Sequence, residues 1–374
     1  MRWLYKSAIL TAGRFGPPAV IYLSGALHYK TELVAAYALA VNSGQISAQL
    51  SECGLSARLA RVGTGHLTPY WRALAGRAML LALIAAAALE MNWASLVDVP
   101  IAFGVLMLTV VRDVALIERD ALLQGVDALC GVLSLAVFAL PLGRTAFLWS
   151  IAVIYVAAGL LIMWQLFRAR PAGATSAPAV SPQNYSDWAS YINRVMGLLV
   201  SGFDVQLIAR VGLGSTALTR YLAARSVLQI GAVAAAYGQA LIGARVHLMR
   251  GAARLQAIAM RTLVVILAIQ GILMVYAHEP RLEISYLLAA FTLAAAWTVI
   301  YSVYLPIFAQ RGMNQAVLLA SLLANVAGFT VMLLTWRKLG VAGVACGVAV
   351  TKFVYCEMVV RDVARHTRAG ESSS

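Results

Sequence analysis

Apolar stretches long enough to cross about 30 Å of hydrocarbon recur along the whole chain, with short polar intervals between them. Backbone in lipid must satisfy its own N–H and C=O groups, so each such stretch is expected to be a helix. Twelve segments are read, near 8–27, 32–51, 73–91, 95–112, 121–141, 146–167, 188–211, 217–242, 257–277, 283–307, 316–336 and 340–360. The expected fold is an all-α polytopic membrane protein. The chain is 61% hydrophobic and 12% charged, with mean hydropathy +0.81, which excludes a soluble globular domain. The first run carries Arg14 and has no small-residue cleavage site, so it reads as a retained helix rather than a signal peptide.

An internal repeat organises these segments. Sliding Tyr37–Arg61 onto Tyr221–Arg245 without gaps pairs Tyr37 with Tyr221, Ala40 with Ala224, Gln45 with Gln229 and Ile46 with Ile230. It also pairs Ala48 with Ala232, Gly54 with Gly238, Ala60 with Ala244 and Arg61 with Arg245. Two copies in the same chain direction point to a duplicated bundle, a common plan for transporters. Residues 168–187, rich in Pro, Ala, Ser and Gly, read as a flexible linker between two six-helix halves. The expected organisation is a first lobe over 1–167, the linker, and a second lobe over 188–374. With the N-terminus inside, nineteen Lys and Arg fall on the cytoplasmic side and seven on the other, which places both termini and the linker in the cytoplasm. The other loops are short, so any activity is expected within the bundle.

Ionisable groups inside such segments are costly and face a cavity or a partner. Arg14 lies beside Gly16-Pro17-Pro18, where two prolines are expected to break the helix and free its carbonyls. Arg194 holds a similar place early in the seventh segment. Each either anchors a substrate phosphate or snorkels to headgroups. Asp204 is either a proton-coupling carboxylate or the ion-pair partner of Arg210 or Arg225. In the eighth segment Tyr221, Arg225 and Gln229 fall at i, i+4 and i+8, and in the second Asn42, Gln45, Gln49 and Glu52 recur at helical spacing. Amides and a guanidinium suit sugar hydroxyls and phosphates; the plainer account is hydrogen bonding between packed helices. Stripes on related helices of both halves favour a cavity. Lys352 also falls inside a segment, with no role assigned to it.

Other chemistries find little footing. Cys53, Cys130, Cys346 and Cys356 stand singly, and the five histidines lie at loops or helix ends, so no metal site or disulfide is expected. No Ser/His/Asp set, paired carboxylates or phosphate-binding glycine loop occurs, so neither an enzyme nor a cofactor is expected. The net charge of +14 reads as cytoplasmic loops rather than a nucleic-acid surface.

Asp204, the run Arg210-Val-Gly-Leu-Gly and Tyr221-Leu-Ala-Ala-Arg225 resemble the seventh and eighth helices of polysaccharide flippases. Tyr37-Ala-Leu-Ala through Gly54-Leu-Ser and Arg61 is similar to that family's second helix. Leu123-Gln-Gly-Val-Asp127 and Arg311-Gly-Met-Asn314 resemble the cytoplasmic approaches to its fifth and eleventh helices. The family is the O-antigen (Wzx-type) branch of the multidrug, oligosaccharidyl-lipid and polysaccharide exporter superfamily. The resemblance implies two six-helix lobes in a V, around a central cavity that opens alternately to each side of the bacterial inner membrane. The implied substrate is a polyprenyl-pyrophosphate-linked oligosaccharide turned from the cytoplasmic to the periplasmic leaflet. Membrane lipids and other glycan-assembly proteins are the implied partners. From the residue argument rather than the resemblance, Arg14, Arg194 and Arg225 would hold the pyrophosphate, Asn42, Gln45, Gln49 and Gln229 would face sugar or water, and Asp204 would couple to protons or pair. The alternatives are a cation-coupled drug exporter of the same superfamily and a non-transporting membrane component of a glycan-synthesis complex. A glycan polymerase would need a sizeable extramembrane loop.

Overall fold

The protein is described by a computed structural model covering residues 2–27, 29–55, 71–91, 94–117, 121–168, 188, 191–192, 195–198, 200, 202–211, 214–242, 250–277, 280–311 and 314–371. Twelve helices are described: α1 Arg2–Ala26, α2 Thr31–Glu52, α3 Trp71–Glu90, α4 Asp98–Ile117, α5 Ala121–Ala139 and α6 Arg144–Arg168 come first. α7 Phe203–Arg210, α8 Gly214–Ile242, α9 Arg250–Ala277, α10 Pro280–Arg311, α11 Asn314–Leu339 and α12 Val341–Glu371 follow. The chain is therefore all-α, as the apolar periodicity requires.

Five of these helices, at Ala73–Glu90, Arg144–Gln165, Leu282–Val299, Leu318–Leu339 and Val341–Asp362, are long and apolar enough to cross a membrane; shorter apolar helices lie at Asp98–Val110, Gly125–Ala139 and Met260–Val275. Their outer faces keep large apolar side chains exposed, among them Met79, Val153, Trp164, Ile272, Val326 and Leu334. Water would not tolerate that surface, and lipid welcomes it. This is a multi-pass membrane protein. Among the described residues, α1, α2, α7 and α8 are absent from that apolar set, and they are the opening helices of each sequence half.

The helices gather into two compact units, Met1–Ile21 with Glu32–Val195, and Tyr22–Thr31 with Met196–Ser374. Each unit uses the same internal packing scheme. In the first, α3 packs on α4 and α6 packs on both α4 and α5; in the second, α9 packs on α10 and α12 on both α10 and α11. Gly44 lets α2 lie against Ile101 and Ala102 of α4, as α8 lies on α10. The paired tyrosines follow suit: Tyr37 and Tyr221 are both buried, one 6.3 Å from the Phe147 ring and the other 5.2 Å from that of Phe291.

Small residues set the closest approaches, as expected where lipid supplies no hydrophobic drive between helices. A Cβ on Gly104 of α4 would collide with the Tyr155 carbonyl of α6, and one on Gly328 of α11 would collide with the Thr351 hydroxyl of α12. Gly340, at φ +55°, ends α11 by donating its N–H to the Trp336 carbonyl at 2.8 Å, which turns the chain directly into α12. At the start of α4 the Asp98 carboxylate accepts the Ser95 N–H at 2.7 Å, one arm of a capping box.

The prolines of α1 do not break it. Pro17 and Pro18 lie inside a continuous Arg2–Ala26 helix. They deprive the carbonyls of Gly13 and Arg14 of their helical donors. Those carbonyls turn toward Gly131 of α5, where an added Cβ would stand 2.8 Å from the Gly13 oxygen and 3.3 Å from that of Arg14. Packing against a neighbour without a side chain accommodates the defect, so the helix continues where isolated propensity would end it.

Candidate functional site

Among the described residues, charged groups inside the membrane segments gather in each unit. In the first, Arg14 of α1 meets Asp127 of α5, Nε to Oδ2 at 3.0 Å, and the guanidinium lies 4.5 Å from the centre of the Phe15 ring. The two side chains keep 27% and 19% of their exposure, so the pair is accessible rather than sealed. Asp127, which sequence reading placed only in the approach to the fifth helix, is thus the counter-charge of Arg14.

The amides of α2 do not share one environment: Asn42 is buried, Gln49 half-buried and Gln45 exposed. Glu52, at the foot of the same stripe, is buried and closes the helix instead. Its carboxylate accepts the Gly54 N–H at 3.1 Å, its carbonyl accepts Arg77 Nε at 3.3 Å, and the Leu50 carbonyl accepts the Tyr191 hydroxyl at 2.7 Å. Serines that sequence reading passed over, Ser43, Ser47 and Ser51, line a buried face at i, i+4 and i+8. Ser51 satisfies its hydroxyl on the Ser47 and Ala48 carbonyls.

In the second unit the charged groups centre on Asp204, which is wholly buried in the first turn of α7. Tyr221 and Arg225, one turn apart on α8, both reach the same carboxylate oxygen: the Tyr221 hydroxyl donates to Oδ2 at 2.6 Å, and Arg225 Nε stands 3.2 Å from it. The Val205 N–H donates to Oδ1 at 2.7 Å. Each carboxylate oxygen therefore has a donor, the arrangement a buried anion needs. Asp204 is thus ion-paired with Arg225, one of the two arginines expected as its partner.

Gln229, one turn beyond Arg225, buries its side-chain carbonyl oxygen without a hydrogen-bond partner among the described residues. Lys352 of α12 is half-buried and close enough to Arg225 for the two charges to interact. Sequence reading noticed that it lay inside a segment but gave it no task. A lysine in the middle of an apolar run was signal enough. Arg194 lies outside the described residues.

No family model matches the chain, and no curated protein matches it. Among solved structures it is similar to a eukaryotic MATE transporter, at 13% identity and TM-score 0.45, covering 97% of this chain and 95% of that one. It is also similar to an inward-facing multidrug resistance MATE family transporter of the MOP superfamily, at 15% identity and TM-score 0.45, covering 100% and 96%. A MATE protein in a bent conformation gives 14% identity and TM-score 0.41, over 99% and 92%. Identities and TM-scores this low assign no function to the chain.

Proposed function

We propose that this protein is a flippase for polyprenyl-pyrophosphate-linked oligosaccharides, carrying them from the cytoplasmic to the periplasmic leaflet of a bacterial inner membrane by alternating access. The observation that supports it most is the use of charge inside the bundle. Asp127 and Asp204 are already held by arginines, and the buried Glu52 carboxylate accepts the Gly54 N–H, while a further cation, Lys352, has no ion pair among the described residues. Such an interior favours an anionic headgroup over a cationic drug, which would need a carboxylate of its own. Gln229 adds an unmet acceptor for a sugar hydroxyl or water. In this reading residues 1–167 and 188–374 are the moving lobes, 168–187 is a cytoplasmic linker, both termini are cytoplasmic, and glycan-assembly enzymes are its neighbours. Taking each lobe by itself, Arg14, Arg194 and Arg225 are the guanidinium donors offered to the pyrophosphate, and Asn42, Gln45 and Gln49 the amides offered to the sugar.

The test uses a deletion strain and a membrane-impermeant label for lipid-linked sugar. Accumulation of the linked sugar on the cytoplasmic face, with loss of surface glycan, is expected. Normal surface glycan with no accumulated intermediate refutes the reading, and susceptibility to cationic drugs then becomes the next measurement. The drug-exporter reading rests on the same duplicated plan, but it requires Asp204 or Asp127 to leave its arginine.

A further inference from the structure

The charges in the second unit do not balance. Asp204 is engaged by Tyr221, Arg225 and the Val205 amide. Lys352 stands eleven residues on from Val341 in α12, and Arg225 eleven residues on from Gly214 in α8. At 1.5 Å per residue each is about 16 Å along its helix, and Lys352 falls at the middle of the apolar Val341–Asp362 span. α7, α8 and α12 pack on one another. Among the described residues, two cations therefore gather around the single Asp204 carboxylate. Lys352 has neither an ion pair nor a hydrogen bond among the described residues, and it is half-buried rather than sealed. Snorkelling does not rescue it, because a lysine stem of about 6 Å cannot bridge about 15 Å to either headgroup layer. A charge so placed is a functional group by default.

We propose that Lys352 is the capturing residue of a binding site for one phosphate-type anion in the second unit, taking the pyrophosphate diester of a lipid-linked substrate. The flippase reading supplies the identity of that anion; the unmatched charge stands without it. An ammonium offers three donors and a compact charge to a phosphate oxygen. Arg225 neutralises Asp204, so that carboxylate is not offered to Lys352, whose counter-ion must come from outside.

The experiment uses the full chain in nanodiscs of zwitterionic lipid, with inorganic pyrophosphate as probe and thermal unfolding as readout. Without ligand, Lys352→Met is expected to melt at or above wild type, because it relieves the repulsion with Arg225. Pyrophosphate is expected to stabilise wild type and Lys352→Arg, and to bind Lys352→Met at least about tenfold more weakly. A ligand-free Lys352→Met that melts well below wild type would mark a structural role and overturn the proposal, as would pyrophosphate binding unchanged by that substitution. Adding anionic phospholipid to the nanodiscs separates a membrane headgroup from the substrate; if that lipid alone abolishes the pyrophosphate effect, the assignment to substrate fails. The leaflet assay tells the two readings apart. Lys352-dependent pyrophosphate binding in a protein whose deletion leaves lipid-linked sugar correctly distributed keeps the site and sinks the flippase reading. Sugar stranded on the cytoplasmic face, with Lys352→Met binding pyrophosphate like wild type, sinks the site alone.

Discussion

Replacing Arg225 by methionine removes the cation from a carboxylate that has no exposure at all. Asp204 would keep the Tyr221 hydroxyl at 2.6 Å and the Val205 amide at 2.7 Å, but its charge would stand unmatched in the pair's place. Breaking a buried pair from one side costs about 3–5 kcal/mol. The guanidinium keeps 21% of its exposure, so the lower end, about 3 kcal/mol, is expected. Adding Asp204→Asn removes the orphaned charge, and an asparagine oxygen can still accept from Tyr221. The double variant should therefore recover to within about 1 kcal/mol of wild type, a coupling of at least about 2 kcal/mol across the cycle and larger by whatever Asp204→Asn costs alone. Unfolding in mixed micelles with rising SDS fraction measures each corner. Equal stability of Arg225→Met and wild type would refute the argument, and so would a double variant whose loss is the sum of the two singles.

Four further outcomes follow from the same geometry. Gly104→Ala drives a methyl into the Tyr155 carbonyl and should destabilise the first unit by about 1–3 kcal/mol, whereas Gly76→Ala, whose Cβ would meet nothing within 4 Å, should be neutral in the same SDS titration. Tyr191→Phe loses the hydrogen bond to the Leu50 carbonyl and should cost about 1 kcal/mol by that measurement. Glu357→Gln breaks the bidentate Arg261 pair, but with Arg261 57% exposed the loss should stay below about 1 kcal/mol and shrink with added salt. Arg14→Ala with Asp127→Asn should insert normally yet lose glycan export; if export survives, Arg14 serves only to neutralise Asp127.

Hydropathy placed the helices well because the bilayer core fixes both their length and the apolarity of their outer faces. It placed their ends less well. α9 begins at Arg250 and α12 runs to Glu371, beyond the apolar windows, because hydropathy reports the depth of hydrocarbon and a helix continues past it. Arg225 was a foreseeable partner for Asp204, since α7 and α8 are joined by a short turn and must lie together. The Arg14–Asp127 pair was not, because periodicity tells which face a residue occupies and not which distant helix covers that face. The prolines of α1 misled for a similar reason: the carbonyls they strand are accommodated by Gly131, more than a hundred residues away in sequence.

The repeat fixes architecture, and the function lies in its departures. Under the alignment that pairs Tyr37 with Tyr221 and Gln45 with Gln229, Arg225 falls opposite Val41. Val41 is buried, and a guanidinium there would need a carboxylate to meet. In the second half the equivalent position has acquired both the cation and its anchor, because Tyr221, Arg225 and Asp204 are tied together. The buried tyrosine is common to the two halves, but in the first it packs on Phe147, whereas in the second it also steadies a charge. The duplicated scaffold thus places a Tyr–Arg–Asp cluster at this position of the second copy, whereas the first copy forms its ion pair elsewhere, between Arg14 and Asp127. In the proposed reading, cycling would not require the two lobes to grip cargo equally; it would require that one of them hold a charge the membrane would otherwise refuse.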